Sequence, residues 1–85
     1  MLERMINRRA EITYAFGLTL GTLRRGAGQT QETLADRCSL HVTYISQLER
    51  GTKAPSLVTL IAIADALGLT ATDLMQAIES ALRRP

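Results

Sequence analysis

The chain has no tryptophan, one phenylalanine and two tyrosines, so any core it builds must be aliphatic. It has one cysteine, Cys38, which excludes an internal disulfide and suits a reducing cytoplasm. It has one histidine, His41, with no second ligand type clustered near it, so no metal site is expected. No run approaches the ~20 apolar residues of a membrane span, and no membrane partner is expected. The opening Met1-Leu2-Glu3-Arg4-Met5-Ile6-Asn7-Arg8-Arg9 lacks the continuous apolar stretch of a signal peptide. A glycine-rich phosphate cradle is missing too. With so few catalytic side chains the chain reads as no enzyme, with no cofactor and no small-molecule ligand.

What remains is enough for one domain. The 85 residues are 46% apolar and 21% charged, which is compatible with a packed core and incompatible with gross disorder. The formal charge is +2, a weak pointer to a polyanion. All but Lys53 of the ten basic residues are arginine, the side chain that binds phosphate and guanine at two points. Arginine-rich composition is also common in GC-rich genomes.

Met1 to Ala10 is charged and irregular, either a disordered arm or an extension of the first helix. From Glu11, Ile12, Ala15, Phe16, Leu20 and Leu23 recur at helical spacing. Arg24-Arg25 suits the negative end of that helix, and Gly26 and Gly28 stop it. Gly17 and Gly21 inside it cost stability; either a close helix neighbour or simple tolerance accounts for them. Thr30 caps a second helix over about Gln31 to Arg37, burying Leu34, Ala35 and Cys38. Ser39-Leu40 makes a turn, and a third helix follows over His41 to Arg50, with Ile45 and Leu48 inward and Gly51 ending it. Ser56 caps a fourth helix with the stripe Leu57, Leu60, Ile61, Ala64 and Leu67, which Gly68 ends. Thr70 opens a fifth, with Asp73 completing a capping-box-like pair and Leu74, Met75, Ile78 and Leu82 lining it. Arg83-Arg84-Pro85 is a frayed tail. The domain, residues 11–82, is expected to be a compact all-α fold of five helices.

Within it, Thr30 to Gly51 reads as two short helices joined by a tight turn, the second with a polar outward face. That shape seats one helix in the major groove of DNA. Val42, Thr43, Ser46 and Gln47 are the groove-facing set: Gln47 can bond adenine at two points, and Thr43 offers a hydroxyl and a methyl. Gln31 sits where free backbone N–H groups and the helix dipole favour a phosphate. Arg50 and Lys53 follow the third helix and suit the phosphate backbone. For Tyr44 two roles stand equal: its ring packs against the first or fourth helix, or its hydroxyl reaches a phosphate. His41 is a phosphate contact or a poor helix cap.

Phe16 to Ile78 resembles the lambda-repressor-like helix-turn-helix domain, the Xre family. The matching marks are Leu20-x-x-Leu23-Arg24, Thr30-Gln31-Glu32-x-Leu34-Ala35, Tyr44-Ile45-Ser46-x-Leu48-Glu49-Arg50-Gly51 and Pro55-Ser56-Leu57-x-x-Leu60-x-x-Ile63-Ala64-x-Ala66-Leu67-Gly68. Leu40-His41-x-Thr43-Tyr44-Ile45-Ser46 further resembles the controller proteins of restriction–modification systems. The resemblance implies that Gln31 grips the DNA backbone and that Arg24 and Glu49 form a partly buried ion pair bracing the first helix against the third. The chain departs from the family at Gln29, usually apolar, at His41, often a Ser or Thr cap, and at Val42, often polar.

These features imply a cytoplasmic, sequence-specific DNA-binding transcriptional regulator, a homodimer on a palindromic operator in double-stranded DNA. Leu74, Met75, Ile78 and Leu82 exceed what a small core needs and are the expected dimer interface, with Leu2, Met5 and Ile6 as possible contributors. The competing reading is an antitoxin-like protein-interaction module that binds DNA secondarily, with Met1 to Ala10 as its folding arm.

Overall fold

The computed structural model describes residues 1–84; Pro85, in the expected tail, lies outside them. It contains α1 (Leu2–Gly26), α2 (Gln31–Cys38), α3 (Val42–Glu49), α4 (Leu57–Ala66) and α5 (Ala71–Leu82), with no strand among the described residues. No single helix is long and apolar enough to cross a membrane.

The helix starts follow from local chemistry. The Thr30, Ser56 and Thr70 hydroxyls accept from the main-chain N–H groups of Thr33, Thr59 and Asp73 at 3.0, 3.1 and 3.0 Å, satisfying donors that a helix start leaves free. His41 caps α3 without a side-chain hydrogen bond. The turn between α2 and α3 is closed by Ser39 in the left-handed region (φ 56°) and by a bond from Leu40 N–H to Ala35 O at 2.9 Å. The third helix is therefore shorter than its expected span, with His41 and Arg50 as flanking caps. The second gains Cys38.

Of the two readings of the first ten residues, the helical extension is the one found: α1 begins at Leu2. No Gly or Pro interrupts residues 2–16, Leu, Glu, Arg, Met and Ala favour helix, and an Arg8–Glu11 ion pair at 3.1 Å adds a small local contribution. Residues 1–12 are all exposed, Ile12 included, so this part of α1 contributes nothing to the buried core.

The core draws Phe16 and Leu20 from α1, Leu34 and Ala35 from α2, Ile45 and Leu48 from α3, Ile63 and Ala64 from α4, and Leu74 and Ile78 from α5. Two expectations are corrected here. On α4 the buried stripe is rotated by less than one residue's turn: Ile63 is fully buried, while Leu57 (72% exposed), Val58 (79%) and Ile61 face outward. On α5, Leu74 and Ile78 are consumed by the protomer's own core; Leu82 packs against it while staying partly exposed, and Met75 is the most exposed of the four expected interface residues. Cys38 is partly buried, its thiol pointing at Ala62 O (3.8 Å); burial pushes its pKa up and keeps it protonated.

The two interior glycines of α1, Gly17 and Gly21, have different origins. A Cβ on Gly17 would sit 2.5 Å from Glu49 O and 2.7 Å from Leu48 O, so α1 crosses the end of α3 backbone against backbone. A Cβ on Gly21 would meet mainly the Arg25 guanidinium at 3.0 Å, which can move. Gly17→Ala is therefore expected to destabilise the fold by about 2 kcal/mol or more through forced separation of α1 from α3. Gly21→Ala should stay within about 1 kcal/mol of wild type, the relieved glycine entropy offsetting the adjustment. Urea denaturation of the two variants checks the contrast.

Candidate nucleic-acid interface

The buried residues of α3, Ile45 and Leu48, fix which way the helix turns its other faces. At 3.6 residues per turn, Thr43, Ser46, Gln47 and Arg50 lie opposite them, with Val42 at the leading end. Val42, Thr43 and Arg50 are exposed; Ser46 and Gln47 are partly so. The structure thus brings the expected groove-facing residues onto one side of one helix. Arg50 joins them: its guanidinium bonds the Ser46 hydroxyl at 3.0 Å, which lays it along α3. Tyr44 is half-buried and packs against the core. His41 is exposed at the start of α3.

Lys53 is exposed on the loop after α3. That loop is held at both ends of its first turn. The Thr52 hydroxyl donates to Gln47 O at 3.1 Å, and Gly51, in the left-handed region (φ 74°), lies against the α1 backbone at Thr13 and Tyr14, where a Cβ would come within 3.3 Å of Tyr14 Cα.

Behind this surface lies a polar junction of α1, α2 and α3. Arg24 Nε donates to Glu49 Oε2 at 2.6 Å and Nη2 to Oε1 at 3.1 Å, a two-point pair with each side chain 11% exposed. Arg24 Nη1 donates to Gln29 O at 2.8 Å. Gln31 Nε2 donates to Glu49 Oε1 at 3.1 Å. Hydrogen bonding to Glu49 raises the pKa of Arg24, with burial opposing and the Glu49 charge assisting. A cation with a raised pKa keeps its full contribution below its unfolded value and loses it only in strong alkali, so the arginine's share is undiminished at neutral pH.

Sequence reasoning missed two features. Gln29 fills the place usually taken by an apolar residue by turning its Nε2 onto Ala66 O at 3.1 Å, tying the α1–α2 loop to the end of α4; its Oε1 is buried without a hydrogen-bond partner among the described residues. The outward α4 face of Leu57, Val58 and Ile61 was also missed. Its signal was available: α4 is apolar nearly all round, more than one buried stripe requires.

A compact set of five helices, whose second and third meet at a tight turn and present a polar helix face, defines a helix-turn-helix domain. The comparisons agree: the helix-turn-helix domain model matches residues 15–77, and the chain belongs to that family. Control protein C.BamHI of Bacillus amyloliquefaciens is 42% identical over 65 residues, covering 75% of this chain and 80% of that protein. The HTH-type transcriptional regulator y4dJ of Sinorhizobium fredii is 39% identical over 59 residues, 69% of this chain and 77% of that one. Among solved structures, the restriction-modification controller protein C.AhdI of Aeromonas hydrophila superimposes with a TM-score of 0.71 at 37% identity, covering 73% of this chain and 94% of that one. These relatives bear the names of regulatory proteins, and the likeness to controller proteins stands.

Removing Arg24 leaves the largely buried Glu49 carboxylate without its counter-charge, with the Gln31 amide as its remaining hydrogen-bond donor. Arg24→Ala is expected to cost about 3 kcal/mol in urea unfolding, the lower end for breaking a buried pair, because each partner keeps some contact with water. A cost near zero would show that the pair does not join α1 to α3.

Proposed function

We propose that this protein is a sequence-specific transcriptional regulator that binds a palindromic operator in double-stranded DNA as a homodimer, with α3 in the major groove. The observation that carries the reading is the polar face of α3, Thr43, Ser46, Gln47 and Arg50, held outward by burial of Ile45 and Leu48 on the other side. Thr43 and Gln47 are the base readers of this account, and Val42 touches a thymine methyl. Arg50, lying along the same face, reaches a phosphate or the guanine edge beside it. Gln31, His41 and Lys53 flank the helix and hold the phosphate backbone. The regulatory names of C.BamHI, y4dJ and C.AhdI support the assignment.

A half-site read by one short helix gives limited specificity, and two copies with recognition helices ~34 Å apart supply the rest. The dimer surface of this proposal is the outward face of α4, Leu57, Val58 and Ile61, joined by Met75 of α5, since Leu74 and Ile78 have no surface left to share. Its place of action is the cytoplasm. The exposed helical arm, with Leu2, Met5 and Ile6 uncovered, is the observation that favours the second reading, an antitoxin-like module that folds against a protein partner.

Two substitutions test the assigned face. Gln47→Ala should relax discrimination at one base position, costing about 1–3 kcal/mol there. Lys53→Ala should weaken all sequences about equally and reduce the slope of affinity against salt by about one ion. Binding isotherms at two salt concentrations on matched and single-mismatch duplexes separate the two. Affinity unchanged in both variants would place the interface elsewhere.

A further inference from the structure

Gln31 does not stand free at the start of α2. Its Nε2 donates to Glu49 Oε1 at 3.1 Å, the same oxygen that accepts Arg24 Nη2, while Glu49 Oε2 takes Arg24 Nε at 2.6 Å. The carboxylate is therefore shared between a guanidinium from α1 and an amide from α2, and it is carried by the last residue of α3. We infer that Glu49 is a positioning residue for the DNA contact of Gln31, and that Arg24 makes this possible by neutralising Glu49; the inference rests on the DNA-binding reading above.

The physical case has three parts. A glutamine amide has two N–H donors. Glu49 occupies one and fixes the amide with its nitrogen inward, leaving the other donor for a phosphate oxygen. A long side chain fixed before the ligand arrives loses less conformational freedom on binding. The third part is electrostatic. A bare carboxylate close to a phosphate site would repel DNA. Arg24, bonded to both carboxylate oxygens, cancels that charge without itself leaving the junction. A brace joining α1 to α3 needs only Arg24 and Glu49; the bond to Gln31 gives the pair a second task.

The pair can be removed without leaving a buried charge. Arg24→Met with Glu49→Leu replaces the ions by apolar side chains, an exchange that buried ion pairs often tolerate. The probe is a duplex selected from a random pool by the wild-type protein, made as a set in which one phosphate at a time is a neutral methylphosphonate. The phosphate used by Gln31 is the one whose neutralisation weakens wild type and leaves Gln31→Ala unaffected. The double variant should bind the unmodified duplex about tenfold more weakly, the worth of one charge-assisted hydrogen bond. It should also lose sensitivity at that phosphate alone while keeping it at the others. Wild-type sensitivity at that phosphate in the folded double variant would overturn the inference.

Should the double variant fail to fold, amide-proton NMR of the free wild-type protein decides: a Gln31 side-chain proton protected from exchange supports the positioning role, and exchange as fast as an exposed glutamine overturns it. Wild type that selects no duplex overturns the DNA-binding reading, and this inference with it.

Discussion

The crossing of α1 over the C-terminal end of α3 is the constraint on which the rest depends. At Gly17 the two backbones approach so closely that a single methyl group would meet two carbonyl oxygens. Close approach brings the side chains beyond it into register: one turn on, Gly21 lies by the Glu49 carboxylate, and Arg24 reaches both of its oxygens. On the other side of Gly17, Gly51 lies on the α1 backbone and starts the loop that carries Lys53. The orientation of α3, and with it the direction of its polar face, is set by this one crossing together with the burial of Ile45 and Leu48.

The Arg24–Glu49 pair seals the crossing and does more than hold two helices. Through the main-chain oxygen of Gln29 it fixes the loop before α2; through Glu49 it holds Gln31. Gln29 carries the linkage on to Ala66 at the end of α4. Polar bonds thus connect four of the five helices behind the proposed DNA surface, in a domain whose core is built almost wholly of Leu, Ile and Ala with one Phe. Aliphatic packing supplies most of the stability, and the directional bonds specify how the helices are set relative to one another.

Local chemistry made most of the fold legible in the sequence. Thr30, Ser56 and Thr70 are caps because hydroxyls satisfy free N–H groups within three residues, and nothing distant alters that. The helix-turn-helix and the Arg24–Glu49 pair were legible through a resemblance that spans several motifs. What was not legible is what depends on competition between faces. On α4, apolar residues occupy nearly every direction, so periodicity could not choose between Ile63 and Leu57 for the core; packing against α2 and α5 chose Ile63. On α5, Leu74 and Ile78 looked surplus because the demand of the core cannot be counted from one helix. Gly17 and Gly21 looked alike, and only the path of α3 separates a required glycine from a tolerated one. Gln29 departed from the family pattern, and its bond to a residue 37 positions away has no local signature.

The function proposed here joins three surfaces: a reading face on α3, a phosphate clamp held from behind by Glu49, and an apolar α4 face that a second copy would cover. Selection of duplexes from a random pool, with the retained complex sized by light scattering at two salt concentrations, tests their combination most directly. The account predicts enrichment of a palindrome bound by two chains, with affinity falling steeply as salt rises. A folded protein that enriches no sequence would contradict it.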